Sequence, residues 1–508
     1  MAYLLGIDVG TSGTKTVLFC ESGAVVASHT IEYPMYQPQN GYAEQDPIDW
    51  WNAVVQTIQM VLKQSKIDPA QIQGIGISGQ MHSLVMLDKD GEVIRPAILW
   101  CDARTAKECE QITQIVGAQR LIEITANPAL AGFTAGKILW VRNHEPENYA
   151  KCAHILLPKD YIRYQLTGEF ATEVSDASGM QLLDVPNRCW SDEILQKLEI
   201  DKHLLGRVYE SQQVTGQVTQ KAAKLTGLQP GTAVVGGAAD NAAAAVGTGV
   251  VKDNRGFTTI GSSGVVYTHT SKVAIDKGGR VHTFCSSVPG EWLVMGCTLS
   301  AGMSLKWFRD NFFGQEMQTA DLMGVDPYYL MDQEAQTVPI GSNRLIYLPY
   351  LMGERSPILD PNARGVFFGL SAIHTKKDML RAIMEGVTFS QRHCMEVMKE
   401  MGISFGEMLA CGGGGSSPLW RQMLADVYGI PVSTLETKEG PALGVAILAG
   451  VGTGLYNNVL EACQQMIKVK DVHQPIDEHI VAYEKYYQLY TKIYPSLIEQ
   501  FELLSHLS

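Results

Sequence analysis

Two stretches of this chain share one grammar: an apolar run, a small glycine-bounded turn and a second β-rich run. The first is Leu4–Asp8, Gly10-Thr11-Ser12-Gly13 and Lys15–Cys20; the second is Phe257–Ile260, Gly261-Ser262-Ser263-Gly264 and Val265–His269. Each predicts a strand–turn–strand hairpin. Four matching residues are a weak signal, but one set opens the chain and the other opens its second half. That placement predicts a duplicated fold whose halves each bring a phosphate-facing turn to a shared cleft. The length agrees, because 508 residues exceed the roughly 250–300 at which single cores stop growing. We expect two domains, 1–252 and 253–508. Strand–turn–helix units alternate with the hairpins, so the class is α/β with mixed sheets.

Bulk properties exclude several functions. With 45% hydrophobic and 18% charged residues the chain has material for cores. A net charge of −13 is the wrong sign for a nucleic-acid partner. It is compatible with ATP, which needs only local donors. The opening Met-Ala-Tyr-Leu-Leu-Gly-Ile-Asp has no basic leader, so no secretory signal is expected. No apolar run is long enough for a membrane span. Ten cysteines are scattered without a C-x-x-C pair and twelve histidines without an H-x-x-x-H pair. They predict free thiols in a cytoplasmic protein and no zinc site. Asp46-Pro47 predicts the start of a helix over Ile48–Leu62. Ile480, Tyr483, Tyr487, Tyr490, Ile493 and Leu497 predict one long packing helix from about Asp477 to Leu504.

Four places carry chemistry. Asp8, with the turn through Thr14 and Lys15, could hold Mg²⁺ beside backbone that approaches phosphate, or could be a hairpin turn with an Asx-type bond. Val234–Asn241 reads as a strand, a glycine turn and a helix starting near Asp240. Locally Asp240 reads first as an N-cap, and second as a general base at a strand's carboxyl end. Cys411–Ser417 places four glycines before a helix from Pro418 to Tyr428. A nucleotide lying on a helix N-terminus would explain so bare a backbone better than a flexible loop. Gly79-Gln80-Met81-His82-Ser83 follows a β-run, and one histidine there reads locally as a core or loop residue.

In this order the four stretches resemble the FGGY family of sugar kinases over nearly the whole chain. Two longer signatures strengthen the likeness: Gly132–Trp140, and Gly365–Leu370 continuing through Ala382–Glu385. The resemblance implies two ribonuclease H-like domains of the actin/hexokinase type around a central cleft, and the cofactors ATP and Mg²⁺. It implies Asp240 as catalytic base and Asp8 near the metal. Thr11, Ser12 and Gly13 would face the phosphate from one side, Ser262 and Ser263 from the other. Gly413, Gly414 and Ser417 would border the adenine and ribose, and Met81, His82, Asp240 and Asn241 would line the sugar. Within the family, Gly79–His82, Pro96–Trp100, Leu157–Tyr161 and Gly353–Arg355 are most similar to xylulokinases, whereas glycerol kinases carry Arg-Glu at Met81-His82. The implied reaction is transfer of the γ-phosphoryl group to D-xylulose. Ribulose, gluconate or a sugar alcohol is the alternative acceptor, and a non-catalytic sugar sensor the alternative function. The resemblance leaves a homodimer open. An Asp at a helix N-terminus should be a weak base, because the helix dipole favours its ionised form.

Overall fold

Leu4, Leu5, Ile7 and Val9 are all fully buried, as a near-continuous apolar run requires of a strand covered on both faces. The computed structural model describes residues 2–437 and 439–507. In it, β1 (Tyr3–Val9) pairs antiparallel with β2 (Gly13–Cys20), and Val9 faces Thr14 across the glycine turn. β2 pairs with β3 (Val25–Glu32). On its other side β1 runs parallel to β4 (Ile72–Gly79), and β5 (Val214–Gln217), β6 (Ala233–Val235) and β7 (Ala238–Ala239) complete a seven-stranded sheet. The second half repeats the plan. β8 (Asn254–Ile260) and β9 (Gly264–Thr270) form its hairpin, extended by β10 (His282–Cys285) and β11 (Trp292–Thr298). β12 (Phe405–Cys411) lies parallel to β8, followed outward by β13 (Val432–Leu435) and β14 (Val469–His473). Each sheet thus joins an antiparallel set to a parallel neighbour at its first strand, and in the second sheet β11 lies between β9 and β10. The expected pair of ribonuclease H-like units is present, the first sheet drawing its strands from 3–239 and the second from 254–473.

The helices follow their start signals. α1 (Pro47–Ser65) is capped by Asp46, whose carboxylate accepts from the Ile48 amide, with Pro47 in its first turn. Between β4 and β5 the chain inserts α2 (Thr134–His144), the short α3 (Val174–Ala177) and further helices over a core of their own. α4 (Asp240–Thr248) follows β7. In the second half the long α5 (Lys376–Glu400) and α6 (Pro418–Tyr428) cover the sheet.

One helix does not stay with its half. α7 (Gly440–Gly452) lies against β1, β4 and α4 of the first half. Small residues make this possible: a Cβ at Gly6 would stand 2.0 Å from the Ala442 carbonyl oxygen, and one at Gly444 1.9 Å from that of Ala243.

The C-terminal segment differs from its expected single helix. α8 (Asp477–Ile493) ends in a tight turn over Tyr494–Ser496, and a separate helix follows over Ile498–Ser505. Pro495 lacks the amide a continuous helix needs. The predicted stripe is still the buried one, through Tyr483, Tyr487, Tyr490 and Ile493. Among the described residues no helix is long and apolar enough to cross a membrane.

Candidate active site

The candidate residues of the first half collect at the carboxyl ends of three adjacent strands. Asp8 of β1 and Ala238 of β7 both face Ser78 of β4, one from each side. Asp8 and the helix start at Asp240 therefore flank the end of β4, about 10 Å apart by strand spacing. The Asp8 Oδ1 and the Ser78 hydroxyl are both buried without a hydrogen-bond partner. Burial raises the Asp8 carboxyl to about 6, against the weaker pull of Lys15 and of the nearby Ser78 hydroxyl, which stands outside full hydrogen-bond geometry. Lys15 is paired with Glu439 at 2.5 Å.

Asp240 departs from its expected place as the cap. The N-cap position is Ala239, which makes no side-chain cap, and Asp240 is the first helical residue. Its Oδ1 accepts from the Asn241 amide at 2.6 Å and from Asn241 Nδ2 at 3.0 Å. Nor is its carboxyl held in the ionised form that a helix terminus alone would favour. Burial, and then the charge of Asp8, push its carboxyl up to about 7 against those two hydrogen bonds. Desolvation and a like charge outweigh the helix terminus here. The same Asn241 amide nitrogen lies 3.6 Å from the Met81 sulfur, so Met81, Asp240 and Asn241 share one corner.

His82 is held on every side. Its φ of 64° is a left-handed value unusual for a residue with a side chain, and costs of order 1 kcal/mol. Thr134 Oγ1 and Lys137 Nζ, both from α2, donate to its carbonyl at 2.9 Å. Its Nδ1 meets the Gly179 carbonyl at 3.1 Å, and its ring lies 4.6 Å from that of Phe133. The Gly132–Trp140 signature thus acts locally as the clamp on His82. Lys137, fully buried, is pushed down to about 7 by desolvation.

The segment Glu173–Gly179 was not singled out in the sequence, yet it supports the whole corner. Its Ser175 hydroxyl accepts from the Ala239 amide at 3.1 Å, just before Asp240. Glu173 accepts from the Ser175 and Asp176 amides and from the Ser175 and Ser211 hydroxyls. Lys159 holds Asp160 at 2.7 Å, Glu173 at 3.4 Å and Asp176 at 3.6 Å in a fully buried ion cluster. The Leu157–Tyr161 motif therefore acts beneath the site. A polar run broken by Val174 and Ala177 has no helical or strand period, so it carries no local signal in the sequence.

On the second half, the β8 turn and the glycine run after β12 end side by side, with Thr259 paired to Cys411. Ser262 and Ser263 are exposed. Most of the glycine run is bare for packing. A Cβ at Gly414 would stand 2.5 Å from Ile260 Cγ2, one at Gly415 would stand 3.0 Å from the Ala410 carbonyl carbon, and Gly412 has φ 75°. Only Gly413 has room, and it is exposed. Ser417 caps α6 by accepting from the Trp420 amide at 3.0 Å. In the first turn the Thr11 hydroxyl accepts from Trp100 Nε1 at 2.9 Å and reaches Gln80 Oε1 at 3.4 Å, while Ser12 is exposed. A Cβ at Gly13 would stand 2.6 Å from the Ile31 carbonyl oxygen.

Two ends of parallel strands, each with a small hydroxyl-bearing turn, and a carboxyl titrating near neutrality suit transfer of a charged group to a hydroxyl. The FGGY carbohydrate kinase N-terminal domain matches residues 3–247 and the C-terminal domain of the same family residues 256–453. The chain belongs to the FGGY family of carbohydrate kinases. This FGGY kinase is 39% identical to the xylulose kinase of Bacillus subtilis, with 97% of each chain covered. It superposes on the ligand-bound xylulose kinase of Lactobacillus acidophilus with a TM-score of 0.92 at 29% identity, over 99% of this chain and 100% of that one. A gluconate kinase from Lactobacillus acidophilus fits almost as well, with a TM-score of 0.91 at 29% identity over 99% of each chain. As a carbohydrate kinase the protein acts on a sugar and uses ATP.

Proposed function

We propose that this kinase transfers the γ-phosphoryl group of ATP to D-xylulose, at its C5 hydroxyl, giving D-xylulose 5-phosphate. The observation that carries the reading is Asp240, a half-buried carboxyl raised to about 7 at the junction of strand and helix, with Asn241 and Met81 at its side. The acceptor follows the xylulose kinases of similar sequence and equal length.

In this reading Met81, His82 and Asn241 place the sugar so that its terminal hydroxyl points at Asp240. Asp240 takes the hydroxyl proton as the new P–O bond forms, an effect worth roughly 10²–10⁴ in rate. Positioning carries most of the remainder, since phosphoryl transfer asks little covalent chemistry of the protein. Thr11, Ser12 and Gly13 approach the transferred phosphate from the first half, and Ser262 and Ser263 from the second. Gly413 and Gly414 border the nucleotide, and Ser417 contributes as the cap of the helix behind them.

Asp8 fits a Mg²⁺ role. Its Oδ1 is a buried oxygen without a donor, and a cation there would offset its repulsion with Asp240. Among the described residues no cluster of three or more His, Cys, Asp or Glu side chains could hold a metal. Asp8 would therefore act with water and phosphate oxygens, as is usual for Mg²⁺. When bound, the ion would neutralise charge on the phosphates. The ten free thiols suit a cytoplasmic setting.

An ADP-release assay over xylulose, ribulose, gluconate and xylitol tests the acceptor. D-Xylulose should give the highest kcat/KM, and a higher value for gluconate would replace it.

A further inference from the structure

The motif Gly353-Glu354-Arg355 is absorbed by nothing above, and it meets the first half at the sugar side. Glu354 anchors it, accepting from the Leu299 and Arg355 amides at 2.8 Å. The half-buried Arg355 side chain reaches across the cleft: a Cβ at Gly132 would stand 3.6 Å from its Nη2. It lies beside the Cys297 thiol, which is also within electrostatic reach of Asp240. Among the described residues it makes no ion pair.

Its neighbour His282, on β10, gives a second and independent observation. Asn127 Nδ2 donates to the Thr125 and Thr283 carbonyls, both at 2.9 Å, so its Oδ1 is an acceptor. That oxygen lies 2.9 Å from His282 Nδ1, which must carry the proton. Nε2 is then a bare acceptor. It is buried, on a residue only 3% exposed, and has no partner. Burial and Arg355 keep the ring neutral, holding it down to about 3. Buried polar atoms are rarely left unmet without a reason. His282 and His82 flank the same two rings, with Phe133 at 6.0 Å and 4.6 Å and Phe284 at 6.1 Å and 6.0 Å respectively. An empty acceptor and a guanidinium that makes no ion pair among the described residues thus stand together near the residue proposed to hold the sugar.

We propose that His282 and Arg355 complete the acceptor site from the second half, His282 Nε2 accepting from one sugar hydroxyl and Arg355 donating to a neighbouring sugar oxygen. The inference rests on the acceptor reading above and deepens it: sugar binding then requires both halves, and these two residues select polyols by hydroxyl position.

The test is steady-state kinetics of the full-length variants Arg355→Met and His282→Phe, on the acceptor the wild type uses best and on its monodeoxy analogues. Each variant should raise the acceptor KM about 10- to 100-fold, the usual weight of a hydrogen bond to a charged or desolvated partner. ATP KM and Tm should be unchanged. Each penalty should vanish with one deoxy analogue, the one lacking the contacted oxygen. Should either variant fail to fold, Arg355→Lys and His282→Gln carry the same test with smaller losses. An unchanged acceptor KM, an equal penalty across the deoxy series, or a parallel shift in ATP KM would overturn the proposal. If the wild type prefers another sugar, only the xylulose reading is corrected and the variants are scored on that sugar. If it phosphorylates none, both readings fall.

Discussion

At the scale of single residues the decisive fact is that Asp240 sits one place past the cap. Replacing it with Asn should cost turnover the roughly 10²–10⁴ of a lost proton acceptor. An Asp240→Asn enzyme with near-wild-type kcat in the coupled assay would reduce the carboxylate to a structural role. The pH profile supplies a second test. Only ionised Asp240 accepts a proton, and its carboxyl is raised to about 7, so kcat/KM should fall tenfold per unit as pH drops below about 7. A profile flat down to pH 5 would contradict this. Stability has the opposite sign. The folded carboxyl is raised above its unfolded value near 4, so the folded state binds the proton more tightly. Asp240 is therefore best tolerated below pH 4, and its ionised form weighs against folding as pH rises toward 7. Thermal unfolding should show Asp240→Asn raising Tm at pH 8, with the gain shrinking toward pH 4.

Among the elements, α7 is the one whose loss of fit would be felt furthest. It packs backbone to backbone on the first sheet, and Gly444 has no room for a methyl group beside Ala243. Gly444→Ala should destabilise by about 1–3 kcal/mol, the common cost of overpacking, read from the urea midpoint. Gly314 is the matched control, because nothing stands within 4 Å of its Cβ position and it opens a helix. Gly314→Ala should be neutral or slightly stabilising. The elements also show which sequence signals were legible. Both hairpins, α1 and the start of α6 came directly from glycine turns, Pro placement and apolar runs. The C-terminal helix was read too long because its stripe continues in register across Pro495, and periodicity outvoted the missing amide. Glu173–Gly179 escaped because its work is done through long-range hydrogen bonds to Ala239, His82 and Ser211, which leave no local period.

For the whole molecule, the candidate site residues are divided between two sheets. Asp8 near the end of β1, His82 in the loop after β4 and Asp240 at the start of α4 belong to the first half, while the β8 turn, the glycine run and Arg355 belong to the second. Binding of acceptor with a non-hydrolysable ATP analogue should therefore draw the halves together, seen as a smaller radius of gyration in solution scattering. No change with both ligands present would mean a cleft already closed. The glycine-turn duplication, the α/β class and the strand ends that carry Asp8, His82 and Asp240 were determined by the sequence itself, because turns and apolar runs are local properties. Tertiary structure alone decided what those residues are. A helix-starting Asp becomes a carboxyl near 7 only when burial and Asp8 act on it, and the glycines of 412–415 are needed mostly by Ile260 and Ala410. A histidine such as His282 presents a bare Nε2 only because the Asn127 carbonyl oxygen accepts from Nδ1 and so fixes the ring proton there. Asp8, Ile260 and Asn127 each lie more than a hundred residues from the group they act on, and no reading of local pattern contains those effects.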